Sequence, residues 1–521
     1  PPNGRHAADQ PRASRPDNGR LDDQPPPTDR RPPTDAPDPR RWRALAVTLA
    51  AGFMTLLDVS IVNVALPSMQ RGLHASPEGI QWVVSGYALA FGLTLVAGGR
   101  LGDVLGRRRM FLVALSAFVI TSAAAGAAPD EALIVVARLL QGMAAGILTP
   151  QNSGLIQDLF RGAERGRAFG MLGAVIGIST AAGPVIGGLI LALAGEQDGW
   201  RWVFYVNVPI GIGALVLTRR LVPPIQPRQR SIREQIDFAG IVLLGLATVG
   251  VLLPLVQAQG GGSALLWLMV PVAIGAGYLF VRWESRELRV GHSPLLDLRL
   301  FTESPGYSSG MILATIYFCG FTGIFLVLSL FFQDGLHYSP LESGLAVTPF
   351  ALGSAATSAV AGRLVSSLGR RLTVAGLCLI IVGLGTGALL IPHVSPAVTG
   401  LVLIVPLLVA GIGGGAVISP NTTLTLACVP TSMAGSAGGA LQTGQRIGTA
   451  VGTAVLAGAL RVTVSHTRGD FPLAVSVAIA CAVVFLAAAL VAAIIELRAG
   501  RRTEPVGERA TFDDAVHASD V

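Results

Sequence analysis

Two charged residues stand where a chain this apolar has no ordinary use for charge. Asp58 lies in LDVSIVNVALP, from Leu57 to Pro67, together with Asn63; Arg138 opens RLLQGMAAGILTPQN, which runs to Asn152 and also carries Gln141 and a small-residue face from Gly142 and Gly146. Ionised side chains are costly in lipid and mark functional candidates by default. Removal from water raises a carboxyl group's affinity for its proton, whereas a neighbouring arginine lowers it. An Asp58 that meets and leaves Arg138 could therefore take up a proton in one conformation and release it in another. The alternative is that the two charges only fix helix packing. At about 1.5 Å per residue, Asp58 sits about 21 Å from the inner end of its span and Arg138 about 10 Å from the outer end of its own, which in a core of about 30 Å brings them to one depth. The other acids that approach apolar runs, Glu131, Glu303, Asp334, Glu342 and Glu496, fall at expected span ends. Only Asp58 is expected to lie deep.

A second set of charges sits between apolar runs in GGRLGDVLGRRRM, from Gly98 to Met110. Gly98, Gly99, Gly102 and Gly106 permit close helix approach and a tight turn. Asp103 stands at i−3 and i+4 spacing from Arg100 and Arg107, where opposite charges can pair, so the stretch reads as a latch between helix ends, completed by Arg108. The segment AGRLVSSLGRRL, from Ala361 to Leu372, repeats the Gly-Arg-Leu and Leu-Gly-Arg-Arg parts but has Ser366 in the place of Asp103. Two related halves follow, the second without the same ion-pair latch; such tandem halves are a usual plan of secondary transporters.

The elements that must position these residues are transmembrane helices. The chain has 521 residues, 51% of them hydrophobic and 13% charged, with a mean hydropathy of +0.60, which is too apolar for a soluble protein of this length. About fourteen apolar runs are long enough to span, arranged as six, two and six. The expected organisation is a disordered, Pro-rich tail over 1–41, a six-helix half over 42–220, two inserted helices with linkers over 221–300, a second six-helix half over 301–498 and a tail over 499–521. No cleavable signal is visible, and the first span is expected to act as an uncleaved anchor. The net charge of +7 is arginine without any lysine, concentrated in loops on one side. It sets topology, with both termini cytoplasmic, and excludes nucleic acid as a partner. Cys319, Cys378, Cys428 and Cys481 have no metal-ligand or CxxC spacing, so no metal and no disulfide is expected. No phosphate loop, HExxH or nucleophile set is present, and GIGGGA at Gly411 lies inside an apolar run; an enzyme and a bound cofactor are therefore not expected.

The motifs also resemble a known family. Gly99, Asp103, Gly106, Arg107 and Arg108 match the loop between helices two and three of the major facilitator superfamily, and the Asp58 and Arg138 stretches are similar to the first-helix and fourth-helix motifs of its fourteen-helix drug:proton antiporters. In GAVIGISTAAGPVIGG, Gly183, Pro184, Gly187 and Gly188 reproduce the fifth-helix pattern of exchangers, and DGWRWVFYVNVPIG is family-like at helix six, where Trp200, Trp202 and Tyr205 also read as an aromatic belt at the outer interface. The resemblance implies an all-α major facilitator fold in a bacterial cytoplasmic membrane, working as a monomer. It implies export of amphipathic or lipophilic compounds driven by protons, with Asp58 and Arg138 in the coupling. A carrier of one metabolite and a non-transporting scaffold are the rival readings. Further cavity candidates are Asn63, Gln141 and, in span thirteen, Gln442, Gln445 and Arg446, for which cavity lining and helix-helix hydrogen bonding stay open. Tyr317, Phe318, Phe321 and Phe325 face either an apolar cargo or lipid.

The arginine distribution puts residues 73–79 outside and residues 228–233 inside. Single cysteines placed at 76 and 230 in intact cells are expected to react with an impermeant maleimide at 76 alone; the opposite labelling pattern reverses the threading.

Overall fold

The computed structural model describes residues 39–195, 198–223, 237–258 and 263–503, all helix and connecting turns without a strand. The two expected tails and the arginine loop at 228–233 fall outside the described residues, except for the tail residues at 39–41 and 499–503. Seven helices build the first part: α1 (Arg41–Leu73), α2 (Pro77–Leu105), α3 (Arg107–Gly126), α4 (Glu131–Leu159), α5 (Gly162–Ala194), α6 (Gly199–Tyr205) and α7 (Asn207–Leu221). The inserted pair is α8 (Phe238–Ala258) and α9 (Met269–Val290). The second part comprises α10 (Tyr307–Leu330), α11 (Pro340–Leu368), α12 (Arg370–Leu390), α13 (Ile404–Thr425), α14 (Ala434–His466) and α15 (Phe471–Thr503). Among the described residues, thirteen segments are long and apolar enough to cross a membrane, with α6 and α7 forming one of them. The 33-residue α5 adds a fourteenth long helix.

Local chemistry sets the helix ends. The Ser76 hydroxyl accepts from the Gly79 N–H at 3.0 Å, the Asp130 carboxylate accepts from the Leu133 N–H at 2.8 Å, and Ser339 and Glu342 form a reciprocal capping box, each supplying a partner to an amide that the first helical turn leaves bare. The two related loops turn on glycines with positive φ, 95° at Gly106 and 52° at Gly369, where a side chain would be strained. The next residue in each, Arg107 and Arg370, begins a helix and is buried.

The packing repeats in the two halves. α4 packs on α2 and α3 as α13 packs on α11 and α12; α1 lies against α5 and α7 as α10 lies against α14 and α15. Between the halves, α5 runs along α11 and α13, and α2 along α14. Glycine makes these seams close. A Cβ at Gly362 would come within 2.4 Å of the Gly166 carbonyl oxygen and 2.7 Å of the Gly170 Cα, and one at Gly99 within 2.1 Å of the Gly435 carbonyl oxygen.

The inserted pair is central in sequence and peripheral in space. α8 rests on α2 and α14, while α9, packed mainly on α8, leaves Val272, Ile274, Tyr278 and Leu279 exposed, as a lipid-facing helix does. The aromatic belt is narrower than expected: Trp202 is exposed, but Trp200 is fully buried against Ile61 and Phe204, because α6 turns that ring inward.

Gly362→Val is expected to cost about 1–3 kcal/mol, since it drives a side chain into backbone rather than into a movable neighbour. Gly213→Val, whose Cβ meets nothing within 4 Å, is the control. Thermal unfolding of the purified protein checks this; equal melting temperatures for the two variants would contradict the close seam.

Candidate functional site

Asp58 and Arg138 meet inside the first half. Both are buried, and an Arg138 Nη1 hydrogen donates to Asp58 Oδ2 at 2.6 Å. The other carboxylate oxygen accepts from Gln141 Nε2 at 3.0 Å and Asn207 Nδ2 at 2.9 Å. Arg138 is held in turn: Nη1 also reaches Gln141 Oε1 at 2.7 Å, Nε donates to the Val83 carbonyl at 3.1 Å, and the guanidinium carbon stands 4.1 Å from the centre of the Tyr87 ring. Asn207 extends the network to Ser122, whose hydroxyl donates to the Phe204 carbonyl. Three N–H donors thus satisfy the two carboxylate oxygens. Such an arrangement can hold a charge inside the helix bundle.

The exchanger-like glycines of α5 lie against this helix. A Cβ at Gly183 would come within 2.4 Å of the Ser60 side chain, and one at Gly187 within 3.1 Å of Ile61, whereas one at Gly188 would only touch Leu341 at 4.0 Å. Ser60 donates to the Ser179 carbonyl at 3.1 Å. The stretch containing Pro184 thus brings α5 onto α1 just beyond Asp58.

At the arginine-rich end, Asp103 joins the two halves. Arg107 donates to it at 2.9 Å, and its two oxygens accept the backbone N–H groups of Gly435 and Ser436, each at 2.9 Å. Those amides open α14, so a carboxylate sits on the positive end of a helix from the other half. Arg107 also binds the Thr431 and Gly154 carbonyls and pairs with Asp158 at 2.7 Å. Arg108 donates to the Arg219 carbonyl, capping the end of α7. Arg100 departs from the expected pairing: its Nε is buried without a partner, and Asp103, Glu284 and Asp297 act on it only at longer range. In the second half, Arg370 binds Asn421 and forms an ion pair with Glu496 of α15, so the acid comes from a different helix than in the first.

The remaining sequence candidates separate. Tyr317 and Phe321 are buried rather than lipid-facing; their rings stack at 5.1 Å, and Phe318, Phe325 and Phe350 pack around them. Their face of α10 turns inward onto α11 and α13. Gln442 bridges the halves through a 3.2 Å bond to Ser153. Asn63 is exposed and apart from the Asp58 network, Gln445 is half-buried, and Arg446 stands over the Phe91 ring. A further acid, Glu284, is fully buried beside Asp237, itself bound by Trp283 Nε1 at 3.0 and 2.9 Å. α9 continues past the expected span end and carries this acid inside. Below it Asp297 is also partly buried, which alone would push its carboxyl up, but the fork from Arg299 outweighs that and holds it below its ordinary value. Asn207 and Tyr87 were not distinguished in the sequence, where an amide and a phenol in apolar runs carry no spacing signal.

The sequence profile of the Major Facilitator Superfamily matches residues 48–453 and 310–515. The chain belongs to the major facilitator superfamily. This facilitator is 36% identical over 456 residues to a probable actinorhodin transporter of Streptomyces coelicolor, an alignment covering 86% of this chain and 78% of the relative. It is 36% identical over 427 residues to a puromycin resistance protein of Streptomyces alboniger, covering 81% and 82%. Among solved structures, the superfamily's proton:xylose symporter bound to 6-bromo-6-deoxy-D-glucose superposes with a TM-score of 0.60 at 15% identity, covering 86% of this chain and 95% of the other. That likeness concerns the fold alone. The facilitator is therefore a multi-pass transporter-family protein rather than a member of an enzyme family.

Asp103→Asn keeps the shape of the latch and removes its charge from the start of α14. A helix-end charge is worth up to about 2 kcal/mol when partly buried, so the end joined by Asp103 is expected to open more often by up to about thirtyfold. Cysteine reactivity at position 436 in membranes reads this; unchanged reactivity would make the loop a topology signal only.

Proposed function

We propose that this protein exports amphipathic or lipophilic compounds, antibiotics among them, in exchange for protons. The single observation that carries the coupling half of the reading is the buried Asp58–Arg138 pair, with its carboxylate bound by three donors. Relatives named for drug resistance and antibiotic transport support the cargo half. In the conformation described, Arg138 pairs with Asp58. When the halves rock and Arg138 is drawn off, an isolated carboxylate in lipid takes a proton, because neutralisation costs far less than an unpaired buried charge. Re-pairing releases that proton, and alternating access delivers it to the other side. The proposed units are the two six-helix halves over 42–220 and 301–498, with 221–300 as the insert. The proposed setting is a bacterial cytoplasmic membrane with both termini inside and a monomer as the working form.

Asp58→Asn retains size and hydrogen bonding but cannot carry the proton. Inverted vesicles are expected to lose pH-gradient-driven ethidium uptake, while ethidium counterflow without a gradient persists. Wild-type driven uptake in the variant would sink the coupling role. Loss of both activities would assign Asp58 to packing, where an uncompensated Arg138 costs about 3–5 kcal/mol.

A further inference from the structure

Arg446 of α14 is a half-buried charge. Arg107, Arg138 and Arg370 are all deeply buried, and each holds a carboxylate. Arg446 of α14 does not. Eleven residues beyond Gly435, at about 1.5 Å each, it stands about 16 Å from the end latched by Asp103, near the middle of a core of about 30 Å. Its guanidinium carbon lies 4.3 Å from the centre of the Phe91 ring on α2, in the opposite half. Among the described residues it has neither an ion pair nor a hydrogen bond. A ring face attracts a cation only weakly beside what desolvating a full charge costs, so Phe91 orients Arg446 without neutralising it.

A second group beside it is also unfilled. Tyr87, one helical turn before Phe91, is 3% exposed and its hydroxyl has no partner. Its ring is already covered by Arg138 on one side, and the Arg446 charge acts on it as well. The buried phenol O–H and the half-buried guanidinium are both donors; what satisfies both is an acceptor carrying negative charge. One turn below, Gln442 is held by Ser153 and leaves its Oε1 unpartnered, an acceptor for a hydroxyl or N–H on the same ligand.

We propose that Arg446 and Tyr87 form a cargo subsite for an organic anion, a carboxylate or ionised phenol on an aromatic body, bridging the two halves. The inference rests on the export reading and names its cargo class. The anionic group binds Arg446 and Tyr87, and its ring system lies along Phe91. Because α2 and α14 each supply part of the site, the ligand holds the halves together, and their separation releases it. The subsite also adjoins the Asp58 pair through Tyr87, whose ring is shared with Arg138.

The test is equilibrium dye binding to the purified full-length protein in nanodiscs at one pH, which reads this subsite and is blind to proton coupling. Fluorescein and rhodamine 6G share a xanthene ring and carry opposite charge. Fluorescein is expected to bind saturably and to be displaced by benzoate but not by benzyl alcohol. Arg446→Gln is expected to weaken fluorescein by about tenfold or more, the loss of a charge-assisted contact, while rhodamine 6G binding holds or improves; Arg446→Lys keeps most of the fluorescein affinity. Three results overturn the proposal: no saturable fluorescein binding, an equal loss of both dyes in Arg446→Gln, or displacement by chloride as effective as by benzoate, which makes it an inorganic anion site. Should Arg446→Gln not fold, competition on the unmodified protein and the Arg446→Lys variant decide the matter.

Discussion

A charge placed in lipid must find a partner, and much of this protein is arranged around that demand. Asp58 and Arg138 answer it for each other at 2.6 Å, and separating them would leave an uncompensated charge inside the helix bundle. Gln141, Asn207 and Tyr87 hold the two groups in line, and the α5 glycines let α5 lie close enough to α1 to exclude other solvation. The surrounding helices thus act as a fixed solvent shell. Its donors are placed for one charge state and offer little to the other.

The same demand is met differently at the arginine-rich end. Arg107 and Arg370 occupy equivalent places after equivalent glycine turns, but Arg107 is neutralised by Asp103 and Asp158, and Arg370 by Glu496. Only the first-half version reaches across the seam, through the amides that open α14. A repeat in sequence has become an asymmetric clasp. One half carries the acid that binds, and the other presents a bare helix end.

The sequence made the fold class, most of the spans and the Asp58–Arg138 pair legible because each rests on something linear: run length, spacing along a helix, and depth counted from span ends. The α2–α3 turn was legible for the same reason, since glycine and arginine announce themselves by type. What remained hidden depends on rotation and on neighbours. Tyr317 and Phe321 read more as facing lipid than cargo until α11 and α13 covered them. Asn207 was hidden within an apparently interfacial aromatic motif. Glu284 lay just past an expected span end, and only the continuation of α9 to Val290 brings it inside. Arg100 has the right spacing to pair with Asp103, but that carboxylate is already occupied by Arg107 and two amides.

The inserted hairpin alters the outline of the protein as lipids meet it. With α8 laid across α2 and α14, and α9 outside α8, one flank of the seam between the halves is two helices thicker than the other. Among the described residues, no inserted helix covers the opposite flank, where α5 meets α11. The surrounding lipid therefore meets two unequal sides. The hairpin works as a wall on one side of a two-sided room, giving the transporter a front and a back within the plane of the membrane.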